Sequence, residues 1–281
     1  MYAPVGSLPA MPRPTWLRVV AVTGLLALIL SSAGIFPYTS PAPWTGSTRF
    51  PFPAAWLTAY RDVLADTRFA LAGLGALWAL GVPAASVLAV SRRAVLRAAA
   101  VAVPITAVTM VLLAGTSGGG LNGWGVPAAV STGISEELFW RAGILGAALT
   151  FTRSRRPLVV AAVVVGCSVA FGAWHLSSHL QIGGSVVEAL GRAIAVHAVS
   201  GIAASVLYLV WRDIGVAVLT HVLVDVAAQV TGNVDLVVYA TAMYGCFALL
   251  VVLGLRRHRH RMAAGQRRLM YQGVGRRLAP S

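Results

Sequence analysis

Seven ionisable side chains sit in stretches that are otherwise apolar: Glu136, Glu137, Arg141, His175, His197, His221 and Asp225. Three of them fall within Glu136-Glu137-Leu138-Phe139-Trp140-Arg141, inside an almost wholly apolar run from Gly125 to Phe151. A charge at bilayer depth costs at least ~2.5 kcal/mol, so such residues face protein, water or one another. Glu137 and Arg141 are spaced i,i+4 with the acid first, which on a helix makes an ion pair on one face. Glu136, rotated from Glu137 by about 100°, is left for a different partner and is the candidate chemical group. His221 and Asp225 repeat the i,i+4 spacing and can present imidazole and carboxyl together. His175 closes Phe171-Gly172-Ala173-Trp174-His175, where Gly172 and Ala173 let another helix come close. One carboxylate with two imidazoles from separate segments is the composition of a general-base site that activates water. It is also the composition of a zinc site with Glu136, His175 and His221 as ligands. Both point to hydrolysis.

The elements that must position these residues are membrane helices. Of 281 residues 58% are hydrophobic and 11% charged, against about 25% charged in soluble domains, and the mean hydropathy is +0.78. The expected fold is all-α, a polytopic bundle of about eight transmembrane helices. Apolar runs of near the ~20 residues a bilayer requires extend over 19–35, 68–90, 98–114, 126–151, 158–176, 186–211, 214–230 and 234–255. The first follows Arg13 and Arg18; Ser31-x-Ala33 resembles a signal-peptide cleavage site, but an uncleaved first span is the simpler reading. Residues 37–67, rich in Pro, Thr and Trp, read as an extramembrane connection with Trp44 and Trp56 at the interface. Pro104 reads as a tolerated kink and 115–125 as a glycine-rich loop.

Every basic residue is arginine, and the net charge is +14. The arginines gather between apolar runs and in a tail, which argues for topology rather than a nucleic-acid partner. With the N-terminus cytoplasmic, cytoplasmic segments hold seventeen arginines, eight of them in the tail. The opposite face holds Arg49, Arg61, Arg68 and Arg192. That bias puts both termini in the cytoplasm. The chain reads as one integral-membrane domain over 1–255, with the chemistry within 126–230, and a basic tail over 256–281 that lies on anionic lipid. Arginine in place of lysine, with abundant Ala, Val and Gly, fits a GC-rich bacterial genome, hence a bacterial plasma membrane.

Taken in order, EExxxR at Glu136 to Arg141, FxxxH at Phe171 to His175 and HxxxD at His221 to Asp225 resemble the three motifs of the CPBP family. These are the CAAX-protease and bacteriocin-processing (Abi) intramembrane endopeptidases. The resemblance implies that Glu136, assisted by His175, activates a water to attack a peptide carbonyl. It implies that His221 and residue 225 bind the oxyanion or orient substrate, with Glu137, Arg141 and Phe171 in support. The family commonly has Asn where this chain has Asp225, and Asn can donate a hydrogen bond where an ionised Asp cannot. Asp225 is therefore protonated, bonded to His221 or a metal ligand. The resemblance leaves open whether a divalent metal such as zinc takes part. The implied substrate is a peptide bond in a membrane-bound or lipidated protein or peptide.

Two other functions use the same features: a non-catalytic scaffold or immunity protein of the same fold, and a proton-coupled transporter with Glu136 and the histidines as a relay. The complete motif set disfavours the first, and the lack of a visible internal repeat disfavours the second. His179, one turn past His175, reads as an interface residue, and His197, above Gly201 and Ser205, as a helix-contact residue. Cys167 and Cys246, without metal-type spacing, read as packing residues. Counted along the spans at 1.5 Å per residue, His175 lies about 25 Å deep and His221 about 12 Å. A shared site therefore requires staggered or tilted helices.

Overall fold

The computed structural model describes residues 54–117, 125–152, 156–181, 185–231, 238, 241–257 and 259–260. The expected first span, the loop at 115–125 beyond Ser117, Trp44, Arg153, Arg155 and the tail from 261 onward lie outside them. Among the described residues the structure is all-helical, without strands. The helices are α1 (Ala54–Ala79), α2 (Ala84–Val87), α3 (Arg92–Ser117), α4, α5 (Pro157–Trp174), α6 (Leu176–Gln181), α7, α8 (Ile214–Thr231) and α9 over 241–257. α4 is one continuous run, Gly125–Glu136, then π-helical Glu137–Leu145, then Gly146–Thr152. α7 is built the same way, Val186–Arg192, π-helical Ala193–Ala198, then Val199–Trp211. Both π segments coincide with ionisable residues, in keeping with the tendency of such irregular turns to fall at functional sites.

Among the described residues three helical stretches are long and apolar enough to cross a membrane, Arg92–Gly115, Pro157–Trp174 and Val186–Trp211. Phe69–Ala79 and Ile214–Ala228 are apolar but shorter. Large apolar side chains face outward, including Trp78, Val111, Leu158 and Val187, as a surface solvated by lipid requires.

The expected span at 68–90 is corrected. α1 begins at Ala54, inside the segment read as extramembrane, and stops at Ala79. Gly81 has φ 66°, the Val82 amide donates to the Leu77 carbonyl at 2.9 Å and the Gly81 amide to Trp78 at 3.0 Å. That is a Schellman stop, which needs a residue free to enter the left-handed region, and Pro83 follows it. At the other boundaries α3 takes in Arg92, Arg93 and Arg97, and α9 begins at 241 rather than 234.

Small residues bring the helices together around α4. A Cβ on Gly73 of α1 would stand 2.7 Å from the Phe139 Cα and 2.8 Å from the Leu138 carbonyl oxygen. A Cβ on Gly133 of α4 would stand 2.9 Å from the Val222 amide nitrogen of α8. Only glycine allows these backbones to touch, and dispersion between close-packed backbones replaces the hydrophobic drive that lipid cannot supply. One core cluster joins α3, α7, α8 and α9 through Ala98, Leu207, Trp211, Val216, Phe247 and Leu250. A second joins α1, α4, α5, α7 and α8 through Leu77, Leu145, Val164, Tyr208 and Ala217. Cys246 is buried in the first and Cys167 packs against the second; both are free thiols.

Candidate active site

An aromatic cluster of Phe69, Phe139, Trp140, Phe171 and Trp174 backs the middle of α4, which carries the motif. Phe139 meets Trp140 edge-on at 5.1 Å, and Trp140 meets Phe171 at 5.6 Å. The Arg141 guanidinium lies 4.7 Å from the centre of the Phe171 ring, within the range of a cation–π contact. Arg141 Nη1 is 3.0 Å from Glu137 Oε1. Both side chains are buried, so the sequence-expected pair exists and is removed from lipid. Nη1 and Glu137 Oε2 have no aligned hydrogen bond, so the attraction between Arg141 and Glu137 is an ion pair of close charges rather than a bidentate fork.

Glu136 sits apart from that pair. Its Oε1 is 3.4 Å from His175 Nε2 and its Oε2 is 3.7 Å from His221 Nε2. Three helices therefore converge on one carboxylate: α4, the end of α5, and α8. The depth offset counted from the sequence is absorbed by stagger, since both imidazoles reach the same group. Each imidazole is anchored through its other nitrogen. His175 Nδ1 is 2.9 Å from the Phe171 carbonyl. A carbonyl only accepts, so Nδ1 carries the proton and donates, and in the neutral ring Nε2 offers its lone pair toward Glu136. His221 Nδ1 lies 2.7 Å from Glu137 Oε1 and likewise donates to it. His221 Nε2 is also 3.5 Å from Asp225 Oδ2. Of the roles left open for Asp225, the neighbour that this geometry gives it is His221.

These groups open onto a cavity of about 230 Å³, well above the ~10–15 Å³ that one water needs. Glu136, His175, His197, His221, Asp225, Thr132 and Ser200 line it together with apolar Val196, Ala204, Val224, Ala228, Met243 and Phe247. The lining is thus mixed, polar and apolar. Thr132, one turn before Glu136, donates to Asp66 Oδ2 of α1 at 2.8 Å, tying α1 to the site.

One expectation is extended and one corrected. His197, read as a helix-contact residue, does meet the end of α5, stacking on His175 with ring centroids 3.8 Å apart and planes 8° from parallel, and it also lines the cavity. His179, read as an interface residue, is buried, with its ring 5.0 Å from that of His197 and neither nitrogen hydrogen-bonded. Burial and the nearby Arg192 push its imidazole below the ordinary histidine range. Sequence reasoning also missed Asp66 and Thr132; the available signal was that Asp66 is one of only eight acidic residues.

For a metal, Nε2 of both histidines and the Glu136 carboxylate would have to meet at one point about 2 Å from each. Among the described residues no group of three or more His, Cys, Asp or Glu side chains is arranged to hold a metal ion.

Against this geometry the comparisons with known proteins are specific. Residues 118–227 match the Rce1-like family model, type II CAAX prenyl endopeptidase Rce1-like. The match agrees with the CPBP/CAAX-protease resemblance of the three motifs, and this Rce1-like stretch contains every residue of them. The family is one of proteases and of integral membrane proteins. α1 and α9 lie outside the Rce1-like stretch, although Asp66, Met243 and Phe247 help to build the site. No curated protein and no solved structure matches the chain.

Proposed function

We propose that the chain is an intramembrane endopeptidase that hydrolyses a peptide bond in a membrane-associated or lipidated protein or peptide. One observation carries the reading: the Glu136 carboxylate is faced by Nε2 of both His175 and His221, at 3.4 and 3.7 Å, while each ring is tied back through Nδ1. Glu136 takes a proton from water, and the resulting hydroxide attacks the carbonyl carbon of the substrate. His175 Nε2, with its lone pair directed into the cavity, accepts that proton and passes it to the departing amine. His221 has Glu136, Glu137 and Asp225 around it, and in its imidazolium form it donates from Nε2 to the tetrahedral oxyanion. Glu137 orients His221, and Arg141 offsets the Glu137 charge. Glu136 and Glu137 against one guanidinium leave the site short of positive charge, which a proton on His221 supplies while His175 stays neutral. No step is assigned to a metal.

The apolar part of the lining, Val224, Ala228, Met243 and Phe247, suits a substrate that arrives from lipid, and the family's description as prenyl endopeptidases supports a lipidated one. We take 1–255 as a single membrane domain, inserted in a bacterial plasma membrane, with the tail at 256–281 on anionic lipid. The eight tail arginines support that placement.

The test is purification in detergent and cleavage of a panel of lipidated and unlipidated peptides by wild type, Glu136→Gln and His175→Ala. Cleavage by wild type alone is the expected result. Equal cleavage by all three proteins overturns the reading.

A further inference from the structure

A third imidazole stands behind the pair that faces Glu136. His197 lies flat against His175, 3.8 Å between centroids and 8° between planes. Its placement is built into the fold. α5 and the π-helical Ala193–Ala198 segment of α7 meet at Gly172, three residues before His175. A Cβ there would stand 2.9 Å from the Ala198 Cβ and 3.0 Å from the Ala193 carbonyl oxygen. The π turn is held from two sides. The Tyr244 hydroxyl of α9 donates to the Ala195 carbonyl, and Ser200 donates to the His197 carbonyl at 3.0 Å.

Three contacts hold the His175 ring. The Nδ1–H bond to Phe171 holds one edge of the ring at 2.9 Å, and the Phe171 ring meets it edge-on at 4.7 Å. Rotation out of the ring plane would carry Nε2 away from Glu136. His197 covers one flat face of the ring. We propose that His197 is a positioning residue that holds the plane of His175 by stacking, with Tyr244 and Gly172 fixing His197 in turn. The proposal rests on the endopeptidase reading for its consequence in catalysis, but not for its geometry.

Two variants separate stacking from proton handling, because phenylalanine keeps a flat ring and has no titratable nitrogen. His197→Ala is expected to lower kcat about 10- to 100-fold, the scale of a small misplacement of a reacting group. KM is expected to stay within about two-fold, since the lost interaction acts on the chemical step. His197→Phe is expected to recover kcat to within about three-fold of wild type, with both limbs of the pH profile in place. An alanine variant as active as wild type overturns the proposal. A phenylalanine variant as poor as alanine, with one limb of the profile lost, also overturns it.

A second readout needs no cleavage. Nitrogen NMR of the histidine-labelled full chain in lipid nanodiscs should show His175 as the single Nδ1–H tautomer in wild type and His197→Phe, and as a tautomer mixture in His197→Ala. His175 signals unchanged in the alanine variant overturn the positioning role. Signals that change as expected in a protein that cleaves no peptide overturn the endopeptidase reading and support the stacking.

Discussion

Glu137 and His221 meet at 2.7 Å between Oε1 and Nδ1, although 84 residues separate them in the chain. The same carboxylate lies 3.0 Å from Arg141 Nη1, so Glu137 joins its ion pair to the imidazole that faces Glu136. Glu137→Gln retains an oxygen that can accept from His221 but leaves the buried guanidinium without a counter-charge. Removing one partner of such a pair costs ~3 kcal/mol or more. The expected outcome is a clear fall in thermal stability together with loss of cleavage, read by a melting curve and a peptide assay on one preparation.

Glu136 should behave in the opposite sense. It faces the cavity and, among the described residues, makes no ion pair with arginine, so Glu136→Gln removes a charge from a place that is costly for one. Cleavage is expected to fall about 10²- to 10⁴-fold, the usual contribution of a general base, while the melting temperature stays level or rises. A variant that is both unstable and inactive would make Glu136 part of the scaffold.

At position 225 the test is one of charge against shape. Asp225→Asn keeps the volume and gives a group that can donate to an oxyanion, so activity is expected to persist or increase. Asp225→Ala removes the group altogether and is expected to lower kcat. If asparagine is as damaging as alanine, the negative charge beside His221 is what the reaction uses.

Packing offers an independent check. Gly133 permits α4 to touch α8 next to His221, and Gly133→Ala would drive a methyl to 2.9 Å from the Val222 amide nitrogen. Overpacking of this kind costs about 1–3 kcal/mol, and the strain falls between Glu136 and His221. Lower melting temperature with a disproportionate loss of kcat is expected; unchanged kinetics would mean that the helices adjust without moving the site.

The arrangement of donors also sets an expectation for metal. Because no group of three or more His, Cys, Asp or Glu side chains among the described residues is arranged to hold a metal ion, cleavage is expected to survive exhaustive chelation. Stoichiometric zinc in the purified protein, with activity lost on its removal and restored on its return, would make Glu136, His175 and His221 its ligands.

The sequence by itself determined that this is a helical protein with a polar centre, because charges placed in apolar runs cost too much to be incidental. It also determined the pairing of Glu137 with Arg141 and the separate placement of Glu136, since both follow from helical periodicity within one segment. The three motifs named the residues that converge, and all of these lie within the stretch 118–227 that matches the family model. What sequence could not decide were relations that depend on how helices are staggered and where one approaches another. The α1 boundary turned on the left-handed Gly81 rather than on hydropathy. The second partner of Glu137 is on another helix, beyond the reach of i,i+4 reasoning. His197 looked like any contact residue among small neighbours. Only the π turn of α7, packed directly on Gly172, carries its ring onto His175, because the direction of a side chain across an interface is fixed by the backbones that meet there.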